Sequence, residues 1–136
     1  MLIVDTGPLL AAADSSDAHH ESCRLLLETH PGPLVTNALV IAEAAYLIAR
    51  QLGPGADASL FDSITDGTLS IENLSLDDWA RAGELVRQYA DLRLGGTDAS
   101  LVAIAERLGA TTIATVNRRD FAVVRPRHVA AFELVP

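Results

Sequence analysis

The sequence predicts a compact α/β domain, with helices flanking a parallel sheet of four to five strands. Three observations predict it. The apolar run Leu2-Ile3-Val4 is uninterrupted, and a strand without alternation is one buried on both faces, the situation of a parallel sheet covered by helices. Strand-like and helix-like segments then alternate along the whole chain. Finally, Gly, Pro and Asn punctuate nearly every junction, leaving no room for a separate linker or repeat.

The elements follow in order. Gly7-Pro8 stops the first strand, and Leu9 to Ala13 reads as a short helical turn. Asp17 reads as the N-cap of a helix through Glu28, which His30-Pro31-Gly32-Pro33 breaks. Leu34-Val35 is a short strand. Asn37 caps a helix from Ala38 to about Gln51, ended by Gly53-Pro54-Gly55. A further helix covers Ala58 to Thr65, and Leu69 to Asn73 alternates like a strand. Asp77 to Asp91 is helical, with Trp79, Ala82, Leu85, Val86 and Tyr89 at inward spacing. Thr97 can cap a helix to Leu108 that Gly109 ends, and Thr112 to Val116 and Ala131 to Val135 are the last strands.

Composition bounds the function. A chain of 136 residues reads as one domain, 1–136, and its 49% hydrophobic content supplies a core. No apolar stretch reaches the roughly 20 residues that span a bilayer, and a signal-peptide n-region is absent, so a cytoplasmic protein without membrane contact is expected. Cys23 is the only cysteine, which excludes internal disulfides and cysteine-based zinc sites. A net charge of −8 argues against broad nonspecific nucleic-acid binding. Lysine is absent, and Arg118, Arg119, Arg125 and Arg127 crowd into one short segment. That crowding fits either solvated arginines or a local phosphate-facing patch.

Several acidic residues stand where chemistry is expected. Asp5 ends the first strand, and in open α/β sheets ligands bind at the carboxyl ends of strands. A capping role would place an Asp there equally well. Glu43 is the only charge from Asn37 to Ile48, with Leu39, Val40, Tyr46 and Leu47 three and four positions away. A charge on such a surface is costly unless paired or coordinated. Asp98 opens another apolar helix, where the helix dipole alone would also favour it. The last strand runs into Asn117, with Asp120 three residues later. An ordinary Asx turn explains that pattern too. Together, converging carboxylates suit a hard divalent cation such as Mg²⁺ or Mn²⁺, one able to polarise a phosphodiester and activate water.

The whole chain resembles the PIN-domain family, and within it the VapC-type ribonuclease toxins of bacterial toxin–antitoxin pairs. The resemblance rests on Ile3-Val4-Asp5-Thr6-Gly7-Pro8, on Thr36-Asn37 leading to Ala42-Glu43, on Thr97-Asp98-Ala99-Ser100, and on Ala114-Thr115-Val116-Asn117-Arg118-Arg119-Asp120-Phe121. It implies a three-layer fold, a Mg²⁺- or Mn²⁺-dependent endoribonuclease acting on RNA, a homodimer, and inhibition by a cognate antitoxin. The family's metal-site acids carry over to Asp5, Glu43 and Asp98. Many members have Asp where this chain has Asn117, while Asp120 matches a frequent downstream Asp, so either completes the catalytic set. Thr6 and Thr115 are candidate supports for the carboxylates. Arg118 and Arg119 are candidate RNA contacts at the rim, extended by Arg125 and Arg127. The apolar positions of the first two helices offer contact surface for a second subunit.

Other classes fit less well. A phosphoacceptor receiver needs a lysine, and a haloacid-dehalogenase-like hydrolase needs an Asp where Gly7 stands. A nucleotide-binding Rossmann or P-loop protein needs a glycine-rich loop after the first strand. A noncatalytic PIN-like RNA-binding or scaffold module is the alternative from another class, with Asn117 as its one sequence hint.

Overall fold

The computed structural model describes residues 1–136. Five short strands, β1 (Leu2–Val4), β2 (Leu34–Thr36), β3 (Leu69–Ile71), β4 (Thr112–Ala114) and β5 (Glu133–Val135), form one sheet in the order β3-β2-β1-β4-β5. Every pairing is parallel. Parallel neighbours require crossovers, and helices supply them: α1 (Thr6–Ala13), α2 (His20–Thr29), α3 (Ala38–Leu52), α4 (Ala58–Thr65), α5 (Leu76–Gln88), α6 (Gly96–Leu108) and α7 (Arg118–Val123). The chain winds from β1 toward β3, returns to β4 and continues to β5. With right-handed crossovers, that reversal puts helices on both faces of the sheet. It also makes the carboxyl ends of β1 and β4 the topological switch point. Leu2, Ile3 and Val4 are fully buried in the sheet centre. The core around them is mainly Leu, Val, Ile and Ala, joined by Phe121 and Phe132.

Several boundaries differ from the expected ones for identifiable reasons. The expected turn at Leu9 begins three residues earlier as α1, because the Asp5 carboxylate accepts the Thr6 N–H at 2.7 Å and a first turn tolerates Pro8. Asp17 does not cap α2. Its carboxylate accepts the His19 N–H at 2.7 Å in a preceding turn, and α2 starts at His20 without a side-chain cap. Ser75 and Asp78 form a reciprocal capping box on α5, which ends at Gln88 before a short 3₁₀ turn, Ala90–Leu92. Gly95, not Thr97, occupies the N-cap of α6. The segment after Asn117 is the helix α7 rather than a simple turn.

The inward spacing expected of α5 holds only in part. Ala82 and Leu85 are buried, whereas Trp79 is 50% and Val86 37% exposed. Polar groups take part of the buried face of α5 instead. Arg81 holds Glu106 of α6 through Nε at 2.8 Å and Nη2 at 2.9 Å, and Arg107 holds buried Asp78. Burial opposes ionisation of Asp78, but its bonds to Arg107 and Ser75 win and hold its pKa below the usual carboxylate value. Cys23 is a buried free thiol raised by burial, the environment of a small core residue. No helix is long and apolar enough to cross a membrane.

Candidate functional site

Asp5 follows β1 directly, so the sheet delivers its side chain to the switch point. It is buried, and both carboxylate oxygens are engaged: Oδ1 accepts the Thr6 N–H at 2.7 Å and Oδ2 accepts the Thr115 hydroxyl at 2.8 Å. Burial raises its pKa, the two hydrogen bonds oppose the rise, and the Glu43 charge adds to it. Thr115 sits just past β4, and its own Oγ1 accepts the Asn117 N–H at 2.9 Å. The expected support from Thr6 is also present, since its hydroxyl donates to Glu43 Oε2 at 3.1 Å. Thr6 therefore links two acids, one through its backbone and one through its side chain.

Asp5, Glu43 and Asp98 line one cleft of about 260 Å³ with Thr6, Gly7, Leu10, Leu47, Val116 and Asn117. The α3 helix brings Glu43, and the first turn of α6 brings Asp98. Glu43 is solvent-exposed and Tyr46, one turn on, is 64% exposed, so the expected cost of an acid buried among apolar neighbours does not arise in this chain. Asp98 carries that cost instead. Burial and the charges of Asp5, Asp120 and Glu43 push its pKa up to about 7. The carboxylates border the cleft without being drawn together: no three His, Cys, Asp or Glu side chains stand at metal-holding distance. Mutual repulsion favours that separation.

Asp120 does not line the cleft. The Asn117 side-chain amide donates to its Oδ2 at 3.0 Å, and Arg119 Nε to its Oδ1 at 3.2 Å. Because only the NH₂ of Asn117 can donate to a carboxylate, its carbonyl oxygen remains the atom available toward the cleft.

The arginine rim is smaller than expected. Arg127 pairs with Glu84 at 2.8 Å, and Arg125 Nη1 donates to the Ala122 and Val124 carbonyls, so neither extends the rim. Arg118 donates to the Pro136 carbonyl at 2.7 Å. Arg119 remains beside Asp120, its side chain 76% exposed.

Three contributors were not singled out from the sequence. Gly7 permits a close approach: a Cβ there would stand 2.4 Å from Val116 Cγ2, in the wall of the cleft. A small residue two positions after Asp5 was the available signal. Asn37, expected only as a cap, is fully buried and donates to Ser100 Oγ at 2.9 Å across 63 positions of sequence, a contact that no local pattern reveals.

Comparison with known proteins agrees with this architecture. Residues 2–125 match the PIN domain. The chain is 30% identical over 135 residues to Ribonuclease VapC26 of Mycobacterium tuberculosis, covering 99% of this chain and 100% of that one. In structure it is similar to Mycobacterium tuberculosis VapC20, described as a sarcin–ricin-loop-cleaving toxin, with a TM-score of 0.78, 21% identity, and 83% and 87% of the two chains covered. It is also similar to VapBC2 from Rickettsia felis bound to a DNA fragment from their promoter, with a TM-score of 0.65, 18% identity, and 98% and 96% covered. On sequence and fold alike, the chain belongs to the PIN-domain family, among its VapC-type members.

Proposed function

We propose that the protein is a divalent-cation-dependent endoribonuclease toxin, held inactive by a cognate antitoxin. One observation carries the reading: Asp5, Glu43 and Asp98, from three separate segments, face one cleft at the switch point of a parallel sheet. The relatedness to a protein named as a ribonuclease supports RNA as substrate, and the likeness to a VapBC assembly supports an antitoxin partner.

The donor set suits Mg²⁺ or Mn²⁺. All candidate donors are hard oxygens, and a cation among them would offset both the burial and the neighbouring charges that push Asp98 up to about 7. Asp5, Glu43 and Asp98 would hold it, and the Asn117 carbonyl is a further oxygen donor lining the same cleft. When bound, such an ion supplies polarisation of the phosphodiester and acidification of an attacking water. The chain's own groups do the rest. Thr115 and the Thr6 N–H fix both oxygens of Asp5, and the Thr6 hydroxyl orients Glu43. Without the cation Asp98 takes up a proton near neutrality, so loading the site and deprotonating Asp98 are coupled. Arg119, exposed beside Asp120, would grip a flanking phosphate.

The test incubates purified protein with total cellular RNA, with and without Mg²⁺ or Mn²⁺, and maps new 5′ ends. Discrete ends that require the metal and vanish in Asp98→Asn are expected. Full cleavage in EDTA would sink the metal-dependent reading, and RNA binding without any cleavage would favour a noncatalytic module.

A further inference from the structure

We propose that Asn37 and Ser100 are positioning residues, a buried brace that fixes the separation of the helices carrying Glu43 and Asp98. The proposal deepens the ribonuclease reading and rests on it for its functional consequence.

The hydrogen bonds run in one direction. Asn37 Oδ1 accepts the Leu39 and Val40 N–H groups of the first turn of α3 at 3.0 and 3.2 Å. Its amide donates to Ser100 Oγ at 2.9 Å, and the Ser100 hydroxyl donates to the Thr97 carbonyl at 2.6 Å. The first turns of α3 and α6 are thereby tied through two side chains that are fully buried. Glu43 lies within the following turns of α3, and Asp98 adjoins Thr97. Burying an amide is costly unless its polar atoms are satisfied, so the pair is held to a narrow range of lengths and angles.

The brace also has a load. Glu43 and Asp98 repel one another, and both stand near Asp5. Helices α3 and α6 both bury apolar residues in the common core, and the Asn37–Ser100 contact is the side-chain hydrogen bond that joins their first turns. A cap alone would need only the Asn37 oxygen, and any Ser or Asp serves for that. The amide reaching Ser100 is the part that capping leaves unexplained.

The test uses Ser100→Ala, which leaves the cap intact, and Asn37→Ser, which keeps a cap oxygen but removes the amide donor. Urea unfolding at pH 8.5, low salt and EDTA compares Ser100→Ala in the wild-type and Glu43→Gln backgrounds. A brace working against repulsion makes the loss in midpoint larger with Glu43 present, although residues 43 and 100 share no hydrogen bond. Equal losses in both backgrounds would overturn the proposal. In calorimetric titration, each single variant should bind Mn²⁺ about tenfold more weakly, by analogy with losses of groups that orient metal ligands. The double variant should be no weaker than either single one. Unchanged affinity in both single variants would equally overturn the brace. If the wild type neither binds Mn²⁺ nor cuts RNA, the ribonuclease reading falls, and the urea comparison still decides the brace.

Discussion

Asp98 stands between two opposed demands, stability and chemistry. Its neighbours and its burial disfavour the charge that a cation site requires. Asp98→Asn should therefore lower RNA cleavage at least about tenfold while making the metal-free protein more stable at pH 8, because an uncharged amide removes the repulsion. Cleavage assays and thermal melts on one preparation read both effects. Cleavage retained, or a lower melting temperature, would count against Asp98 as a charged member of the site. Asn117 poses the complementary question. Asn117→Asp adds an anionic oxygen at the cleft and should tighten Mn²⁺ binding, and Asp120→Ala should weaken it by freeing the Asn117 amide to turn. Calorimetric titration showing neither change would place both residues outside the site. Of the arginine cluster, Arg118 and Arg119 are both exposed next to these groups; Arg118 is tied to the Pro136 carbonyl, and the contact of Arg119 with Asp120 contributes little to stability at its exposure. Arg119→Ala should weaken RNA binding for all sequences and flatten the salt dependence by about 0.7 log units per log unit of salt. An unchanged slope would route the strand elsewhere.

At the scale of elements, local chemistry was legible in the sequence and distant chemistry was not. The buried strand β1, the Asn37 cap of α3 and the Gly109 stop of α6 follow from a few adjacent residues, and each stands where expected. The three acids of the cleft also sit on local features, a strand end for Asp5, the second turn of α3 for Glu43 and the first turn of α6 for Asp98. Asp17 differs from expectation because a competing local turn won, and Trp79 and Val86 differ because tertiary contacts did. A turn took the Asp17 carboxylate, and ion pairs between α5 and α6 took surface that periodicity assigned to apolar groups. Arg127 went to Glu84 for the same reason. The contact of Gly7 with Val116 joins segments distant in sequence, and it makes a prediction. Val is stiff about χ1, so the Cβ of Gly7→Ala must displace Val116 and, with it, Asn117. Stability should fall by about 1–2 kcal/mol, and cleavage by proportionally more than the unfolded fraction explains. Denaturant titration beside cleavage rates separates the two, and wild-type rates per folded molecule would remove Gly7 from the site's support.

For the whole molecule, two properties remain to be joined: apolar surface and acid titration. The expected contact surface on the first two helices is largely spent, since α1 and α2 pack against each other. Trp79, 50% exposed, instead lines an open cleft with Ala38, Leu39 and Leu74, and Leu76, at the start of the same helix, is 87% exposed. If a homodimer buries apolar area on that face, Leu76→Glu should dissociate it, as read by light scattering; a dimer that survives the substitution would place the interface elsewhere. Acid titration is the more general test, because it needs neither partner nor substrate. Asp5 and Asp98 both have raised pKa values, so between about pH 4 and 7 the folded protein binds more protons than the unfolded chain. Stability then falls as pH rises through that window, at most by about 4 kcal/mol for Asp98 from three units at roughly 1.4 each. Asp78 and Glu106 have lowered values, so their contribution is gained as pH rises to their ordinary values of 3.8 and 4.5 and is largely complete by pH 5. Denaturant titrations in EDTA should show the decline from pH 5 to 8. Millimolar Mn²⁺ should flatten or reverse it, because an ion that binds only the ionised site adds stability as the protons leave. A flat profile in EDTA would mean that the carboxylates do not repel as the cleft implies. A decline that Mn²⁺ leaves untouched would mean that the cleft holds protons rather than a cation.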